Sequence, residues 1–500
     1  MKRLIILTTI VISTFAANFY ALAQTSANRP CLVPWPQKVV IGSGYLTLRA
    51  KISIVVPKDP PPAIRDVAET FAGDLRGLGF APVVTERSEA PGAKIILGLR
   101  PDKSLGVEGY RLTVNRGISI RAATNTGLFW GTRTALQLLA KGPGQRAPYL
   151  TITDKPLVPF RGLMVDVARQ LHSIAFHRQM VKRLAAYKLN VYHIHFNDDQ
   201  SYTLPSEKYP DLPTPERHYS KQELKDLVKL AAHYHVTIVP EVEMPGHDSA
   251  LCAGVPDALC RGKSQGGTVC AGSNRSFEVL KNLISETTDI FPGPYLHIGG
   301  DEVDFGAWNN CPDCEARKRS EGLTSNESLY NWFINRCNRF VRSKGRRTVL
   351  WNYANPATRP AIDKDVLIDF WNFAFGNPGD LLASGYDLIN AHCEPLYVFR
   401  TAAAYSPRTL AEWDVRHFGF ANLPPPDTRP VIAPSKQLKG VCMCSWENAE
   451  RVENAILFGI GDSAEGFATP APRLPVVAER AWTGSATTVD DVLRRVGAGQ

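Results

Sequence analysis

Three features are missing from this sequence, and each absence argues against one class of function. No run of lysine and arginine is interleaved with aromatic residues, although the formal net charge is +9, so no nucleic-acid partner is expected. After the N-terminal segment, no apolar run approaches the ~18 residues of a membrane-spanning helix, so no stable membrane insertion is expected. Cys311 and Cys314 have the spacing of half a zinc site, but no second pair matches it. A local disulfide or free thiols are therefore favoured there.

The composition is that of a soluble globular enzyme. The 500 residues are 44% hydrophobic and 21% charged, which allows two or three domains. Lys2 and Arg3, the apolar run from Leu4 to Ala17 and the Ala21-Leu22-Ala23 triplet are typical of a signal peptide over residues 1–23. We therefore expect an exported protein, periplasmic or extracellular, whose ten cysteines are free to form disulfides.

Residues 24–152 are predicted to form a small α/β domain. Strands are expected at Ser53–Val56 and Lys94–Leu97 around a helix over 62–78. Tyr110–Val114 and Ile118–Ala122 read as a hairpin joined by Asn115-Arg116-Gly117. No catalytic cluster appears in this part of the sequence, so a packing role is favoured.

Residues 153–500 are predicted to form a (β/α)8 TIM barrel. Eight short apolar runs alternate with longer segments, several of them helical, and this alternation is typical of a parallel sheet with crossover connections. The runs are Gly162–Asp166, Asn190–Phe196, Thr237–Glu243, Tyr295–Gly300, Thr348–Trp351, Val366–Trp371, Asp387–Ala391 and Gly440–Trp446. Polar and aromatic residues gather where these runs end, which is where TIM barrels carry their active sites.

The segment from His297 to Glu302 carries the strongest catalytic signal. Its two carboxylates, Asp301 and Glu302, follow a glycine pair at the end of a predicted strand. Neighbouring strand residues point to opposite faces, so the two carboxylates share a site only if the backbone turns there. One would then stay protonated as an acid while the other stays ionised.

Other strand ends offer further candidates. His193 and His195 lie on one face of a strand, where they either ligate a metal or form buried hydrogen bonds. Asp198 and Asp199 end that strand, as turn formers or as functional groups. His247 lies in a tight loop after the third strand, as a proton relay, a sugar ligand or a residue without a role. Trp351, Trp371 and Trp446 end three different strands, which indicates an apolar box around a flat ligand such as a sugar ring.

Taken together, these motifs resemble glycoside hydrolase family 20, the β-N-acetylhexosaminidases. Asn190 to Gln200, Pro240 to His247 and His297 to Glu302 are similar to the three most specific motifs of that family. Arg161 to Arg169 is similar to its first barrel strand. Pro34-Trp35-Pro36 and the stretch from Gly109 to Leu139 are similar to its N-terminal α/β domain.

The resemblance implies a retaining exo-glycosidase that removes terminal β-linked GlcNAc or GalNAc through an oxazolinium intermediate. It implies that Glu302 is the general acid/base and that Asp301 orients the 2-acetamido group of the substrate. Arg169 would bind ring hydroxyls, while Asp198 and His247 would support the catalytic pair. The tryptophans Trp351, Trp371 and Trp446 would form the acetamido pocket and sugar platform, and Tyr397 would hold the acetamido oxygen. The resemblance implies a glycan substrate with a terminal N-acetylhexosamine, and neither a metal nor a cofactor.

Three places depart from the family pattern. Ser201-Tyr202-Thr203 follows Asp-Asp-Gln where many members have Gly-Trp-Arg. Many members have an aspartate or asparagine at the position of Phe399 and a glutamate at the position of Asn448, and both normally contact the terminal sugar. Asn448 remains a predicted substrate-binding residue. The departures keep two alternatives open: altered specificity, with a substituted terminal sugar or disaccharide release, and a glycan-binding module without catalysis. A third, a metal-dependent hydrolase, depends on His193 and His195.

Overall fold

The computed structural model describes residues 30–87, 93–260, 267–353, 355–398, 407–419, 431–446, 473–484 and 487–498. Contacts within the chain divide it into two units. The first extends over Pro36–Lys155, and the second comprises Val33–Trp35 and Pro156–Ala498.

The first unit is a mixed sheet with two helices. Among its described residues, the strands are β1 (Lys38–Thr47), β2 (Lys51–Val55), β3 (Ala81–Thr85), β4 (Ala93–Leu99), β5 (Tyr110–Val114), β6 (Ile118–Ala122) and β7 (Arg146–Asp154), and the helices are α1 (Pro62–Gly77) and α2 (Asn125–Leu138). The sheet order is β1-β7-β5-β6-β4-β2-β3. Helix α1 buries Ile64, Val67, Phe71 and Leu75, at the three- and four-residue spacing of an amphipathic helix.

The prediction for this unit is right for the hairpin and incomplete for the sheet. Strands β5 and β6 have the predicted bounds and pair antiparallel. Strands β1, β3 and β7 are absent from the prediction. Strand β1 lies at the sheet edge with most of its side chains exposed, so its sequence lacks the alternation of apolar and polar residues by which a half-buried strand is recognised.

The second unit is the predicted TIM barrel. Its strands are β8 (Phe160–Asp166), β9 (Val191–His195), β10 (Thr237–Glu241), β11 (Tyr295–His297), β12 (Arg347–Trp351), β13 (Leu367–Phe370), β14 (Asp387–Asn390) and β16 (Leu438–Ser445). Each pairs in parallel with the next, and β16 pairs with both β14 and β8, which closes the barrel. A two-residue strand, β15 (Tyr397–Val398), pairs with the end of β16.

Helices surround this barrel and fill the connections between its strands. Within the described ranges they are α3 (Ile174–Ala186), α4 (Lys221–His233), α5 (Ser249–Gly254), α6 (Asn274–Ile290), α7 (Pro312–Glu321), α8 (Asn326–Ser343), α9 (Pro378–Ala383), α10 (Cys393–Leu396), α11 (Pro407–Glu412), α12 (Arg473–Thr483) and α13 (Val489–Ala498), with 3-10 turns at Pro256–Ala258, Phe305–Trp308 and Phe373–Phe375. None of the described helices is both long and apolar enough to cross a membrane.

The barrel interior changes from apolar to polar along its strands. Val191 belongs to the apolar core cluster, and His193 and His195 follow it at alternate positions of β9. Val239 belongs to the same cluster, and Glu241 follows it on β10. Because alternate strand residues face the same side, the polar side chains of these two strands collect above the apolar core, at the carboxyl ends.

Candidate active site

The backbone turns sharply at the end of β11, as the position of the carboxylate pair requires. The strand ends at His297, before the predicted Gly300, because Gly299 and Gly300 have φ values of +61° and +98°, which are outside strand geometry. A Cβ on Gly299 would lie 1.8 Å from Oε2 of Glu243. Only glycine therefore allows the turn that brings Asp301 and Glu302 into one site.

The two carboxylates have opposite environments. Burial raises the pKa of Asp301 to about 7, and the charges of Glu241 and Glu302 act in the same direction, although His247 opposes them. The side chain of Glu302 is 50% exposed, and a hydrogen bond from His247 lowers its pKa. Of the two carboxylates, Asp301 therefore binds a proton more readily, the reverse of the arrangement that the predicted roles require.

His247 connects Glu302 to a layer of acidic residues. Its Nε2 lies 3.2 Å from Oε2 of Glu302, and its Nδ1 lies 3.5 Å from Oδ1 of Asp198 and 3.7 Å from Oδ2 of Asp199. The polar contacts with these three carboxylates, of which the one with Glu302 is a hydrogen bond, raise the pKa of His247 far above its ordinary value. His247 is therefore a bridging imidazolium, and it brings a positive charge directly to Glu302.

Arg169 is held by two buried carboxylates. Its guanidinium lies 2.9 Å from Asp166 through Nη1 and 2.7 Å from Asp198 through Nη2. Burial would raise the pKa of Asp198, but the hydrogen bond from His195, the contact with His247 and the charge of Arg169 lower it well below its usual range. Asp198 therefore stays ionised and fixes Arg169 at the pocket wall.

Three aromatic side chains form another wall of the same pocket. The rings of Trp371 and Tyr397 are parallel within 5° with centroids 6.4 Å apart, and Trp446 lies 5.9 Å from Tyr397. The pocket has a volume of about 170 Å³. Its lining residues among those described are Arg169, His195, Asp198, Glu243, His247, Asp301, Glu302, Trp371, Tyr397 and Trp446. Parallel aromatic faces beside carboxylates suit a ligand with an apolar face and polar edges.

Trp351, predicted as a pocket wall, is instead buried beneath the pocket. It is 1% exposed, and its indole Nε1 donates to Oε1 of Glu241 at 2.6 Å. Its ring lies 5.8 Å from that of Trp446. Trp351 therefore packs near Trp446, which lines the pocket, and does not line the pocket itself.

The two histidines considered as metal ligands face a buried carboxylate. His193 Nε2 and His195 Nδ1 lie 2.9 Å and 2.8 Å from Oε2 of Glu241. Burial alone would lower the pKa of both imidazoles, but the charge of Glu241 outweighs it and raises them to about 9 and about 10. His195 also reaches Asp198 at 2.9 Å. Both imidazoles therefore form ion pairs with Glu241, and the bond of His195 to Asp198 agrees with the hydrogen-bonded alternative in the sequence analysis.

Sequence reasoning missed Glu243 as a pocket residue. This buried side chain accepts the backbone N–H of Gly300 at 2.6 Å through Oε1. Burial raises its pKa well above the ordinary value, and Asp301 and Glu241 add to the effect. The signal was present in Pro240-Glu241-Val242-Glu243, where period-two spacing gives two glutamates the same face. Of the remaining predicted positions, Phe399 and Asn448 lie outside the described residues.

Comparison with protein families gives two matches. Residues 158–485 match the catalytic domain of glycosyl hydrolase family 20, and residues 29–155 match domain 2 of the same family. The first match covers well over half of the chain.

Individual relatives agree with these matches. A β-hexosaminidase of Porphyromonas gingivalis is 28% identical over 352 residues, which are 64% of this chain and 45% of the relative. A lacto-N-biosidase of Bifidobacterium bifidum is 27% identical over 78% of this chain and 35% of its own length. The solved structure of a Streptomyces plicatus N-acetyl-β-hexosaminidase superposes with a TM-score of 0.72 at 25% identity, and the match covers 94% of each chain. The chain spans about half the length of the first curated relatives that it matches.

Proposed function

Because the chain belongs to glycosyl hydrolase family 20, we propose that it hydrolyses terminal β-linked N-acetylhexosamine residues of glycans. One observation carries the proposal: Asp301 and Glu302 lie together on an aromatic pocket, with His247 bound to Glu302. The β-hexosaminidase of Porphyromonas gingivalis and other relatives of that name support it.

The reaction proposed is substrate-assisted. The acetamido carbonyl oxygen of the substrate attacks the anomeric carbon while Glu302 gives its proton to the departing glycosidic oxygen. The resulting oxazolinium carries positive charge, which ionised Asp301 stabilises in the buried part of the pocket. Water then opens the intermediate, and Glu302 takes the proton of that water. The anomeric configuration is retained because the centre is displaced twice.

Substrate binding would exchange the protonation states of the carboxylates. An acetamido N–H donated to Asp301 favours its ionised form, and a sugar that covers the exposed Glu302 disfavours the charge on that residue. Both effects move the proton from Asp301 to Glu302. Asp301 and Glu302 together hold one proton, as the reaction requires, and substrate binding moves this proton to Glu302.

The remaining predicted residues fit the recognition of one sugar unit. The guanidinium of Arg169 is fixed by Asp166 and Asp198, which suits it to bind ring hydroxyls. Trp371 Nε1 is buried without a hydrogen-bond partner among the described residues, so a ligand acceptor there would remove the cost of an unpaired donor. Tyr397 would hold the acetamido oxygen, and Trp446 would supply an aromatic face for the sugar ring.

A second candidate within the same family is release of a unit larger than one sugar. The relative named a lacto-N-biosidase, matched over 78% of this chain, favours it, as do Phe399 and Asn448 at positions expected to contact the far side of the terminal sugar. Replacing a charged acceptor by an amide would weaken the hydrogen bond to that sugar by about 1 kcal/mol, and replacing one by a phenyl ring would remove a bond worth about 1.5–3 kcal/mol. It would also leave room for a substituent.

Export is part of the proposal. The basic start, apolar run and Ala21-Leu22-Ala23 triplet support cleavage before Gln24. N-terminal sequencing of the protein recovered from the periplasm or medium tests it. A recovered chain that still begins at Met1 would contradict it.

The experiment is an assay of the purified chain on aryl β-glycosides of GlcNAc, GalNAc, plain glucose and a GlcNAc-containing disaccharide. We expect turnover of an N-acetylated glycoside and none of the plain glucoside. Glu302→Gln should lower kcat by ~10²–10⁴. Release of the intact disaccharide with little activity on single sugars would favour the second candidate, and binding without turnover would favour a non-catalytic module.

Asp304→Asn is the matched control for Glu302→Gln. Asp304 is an exposed carboxylate two residues further on, and its Oδ1 accepts the backbone N–H of Gly306 at 2.8 Å, a bond that asparagine keeps. Near-normal rates are expected for Asp304→Asn. An equally near-normal rate for Glu302→Gln would remove that residue as the acid.

A further inference from the structure

Four buried cysteines converge at a place that the proposed reaction does not use. Cys260 and Cys270 belong to the connection after β10, and Cys311 and Cys314 lie at the start of helix α7. The Sγ atom of Cys270 lies 3.7 Å from Sγ of Cys311 and 3.7 Å from Sγ of Cys314. The Sγ atom of Cys260 lies 3.9 Å from Sγ of Cys314. All four Sγ atoms lie within 4.8 Å of one another.

These separations are those of a metal tetrathiolate. Zinc bound to cysteine has Zn–S distances of about 2.3 Å, and a tetrahedron of that size has sulfur atoms about 3.8 Å apart. A disulfide requires about 2.05 Å. No pair among the four is set apart from the others at a bonding distance, so the arrangement suits one central ion better than two separate bridges.

The backbone around the cysteines is shaped for this close approach. A Cβ on Gly272 would lie 2.2 Å from the carbonyl carbon of Asp313 and 2.3 Å from the nitrogen of Cys314, so only glycine lets the two segments touch.

We propose that Cys260, Cys270, Cys311 and Cys314 bind one Zn²⁺ ion in a structural site. The sequence prediction of a local disulfide or free thiols followed from the absence of a second Cys-x-x-Cys pair. The structure supplies the missing ligands from two cysteines ten positions apart, Cys260 and Cys270. Four protein ligands complete the tetrahedron and leave no open position, so the site is suited to structure rather than to catalysis.

The site would join the two segments that carry the catalytic groups. Val269, next to Cys270, donates its N–H to the carbonyl of Pro245 at 2.7 Å, two residues before His247. Trp308 Nε1 donates to the carbonyl of Val269 at 2.9 Å, and Trp308 lies on the chain between Glu302 and Cys311. The ion would therefore hold the His247 loop against the segment that follows Glu302.

The test is metal analysis of the full chain, expressed with its N-terminal segment and purified without reductant or chelator. We expect about one zinc per chain by elemental mass spectrometry. The four cysteines should resist alkylation until a chelator is added, and the chelator should lower the unfolding temperature until zinc is restored. Growth with cobalt should give the visible absorption of tetrahedral thiolate-bound Co²⁺. None of these readouts depends on glycosidase activity.

Two variants make the result specific. Cys314→Ser should lose the zinc, whereas Cys31→Ser, which alters an exposed cysteine outside the cluster, should keep it. If Cys314→Ser does not fold, the chelator and cobalt measurements on the unaltered chain decide. A metal-free chain whose mass is lower by the four hydrogens of two disulfides would overturn the proposal. A metal-free chain with all four thiols open to alkylation would overturn it equally.

Discussion

At the residue scale, the distribution of one proton between Asp301 and Glu302 controls the proposed reaction. The pKa of Asp301 is raised to about 7 by burial, and that of Glu302 is lowered by its hydrogen bond from His247. As the pH rises through about 7, the pair loses its last proton, so kcat/KM should fall above that pH. In Asp301→Asn, only Glu302 is left to carry the proton. Because its pKa is lowered, the alkaline fall should move to lower pH, and kcat should drop by ~10²–10³.

The pH profile of Asp199→Asn serves as the comparison. Asp199 also lies near His247, at 3.7 Å, but it is not one of the pair, so its variant should keep the alkaline fall near pH 7. If the fall stays near pH 7 in Asp301→Asn as well, then Asp301 is not the group that holds the proton.

At the element scale, the turn after β11 requires Gly299 for two reasons: its backbone has a positive φ, and a side chain there would collide with Glu243. Gly299→Ala should destabilise the protein by about 3 kcal/mol or more, since a left-handed backbone costs a non-glycine residue 1–3 kcal/mol and the new Cβ would also collide with Glu243. Activity should be lost with it because Asp301 and Glu302 follow the turn. Urea unfolding and the aryl glycosidase assay measure the two effects.

Gly322→Ala separates the collision from the backbone cost. Gly322 has a nearly equal φ of +66° at the end of α7, and a Cβ there would meet nothing within 4 Å. It should cost about 1–2 kcal/mol and leave the rate unchanged. Equal losses of stability in the two variants would show that the contact with Glu243 has no energetic effect.

At the scale of the whole barrel unit, a buried ion pair between α12 and α13 also binds a segment that precedes the barrel in the sequence. Arg495 on α13 binds Glu479 on α12 through two bonds of 2.7 Å and 3.1 Å, and Glu479 also accepts the backbone N–H of Trp35 at 2.7 Å. Both charged side chains are fully buried. Arg495→Met should reduce the free energy of unfolding by about 3–5 kcal/mol because it leaves the carboxylate buried without its partner.

The double variant Arg495→Met with Glu479→Gln should recover part of this loss, since it removes the uncompensated charge. Denaturant unfolding of both variants measures the recovery. Arg494→Met is the control, because Arg494 is adjacent but its side chain is 43% exposed in its pair with Asp491, and such pairs contribute at most about 1 kcal/mol. A double variant less stable than Arg495→Met would contradict the explanation.

The sequence by itself determined the barrel and the position of its reactive pair. Each barrel strand is a short apolar run between longer segments, and because this pattern is local, the strand is predictable without the fold. The two glycines before Asp301 likewise predict a turn, because glycine adopts positive φ values readily. Strand β1 escaped detection because an exposed edge strand has no such local pattern.

Only the tertiary structure decided which distant groups meet and how their charges balance. His247 and Glu302, 55 positions apart, come within 3.2 Å, Trp351 turns to Glu241 beneath the pocket, and four cysteines from two connections converge. The greater affinity of Asp301 than of Glu302 for the proton was likewise decided by the tertiary structure. Distances between side chains and their removal from water arise when strands and loops pack together, and pKa values depend on both. The periodicity of apolar and polar residues along the chain determines neither the distances between side chains nor their removal from water.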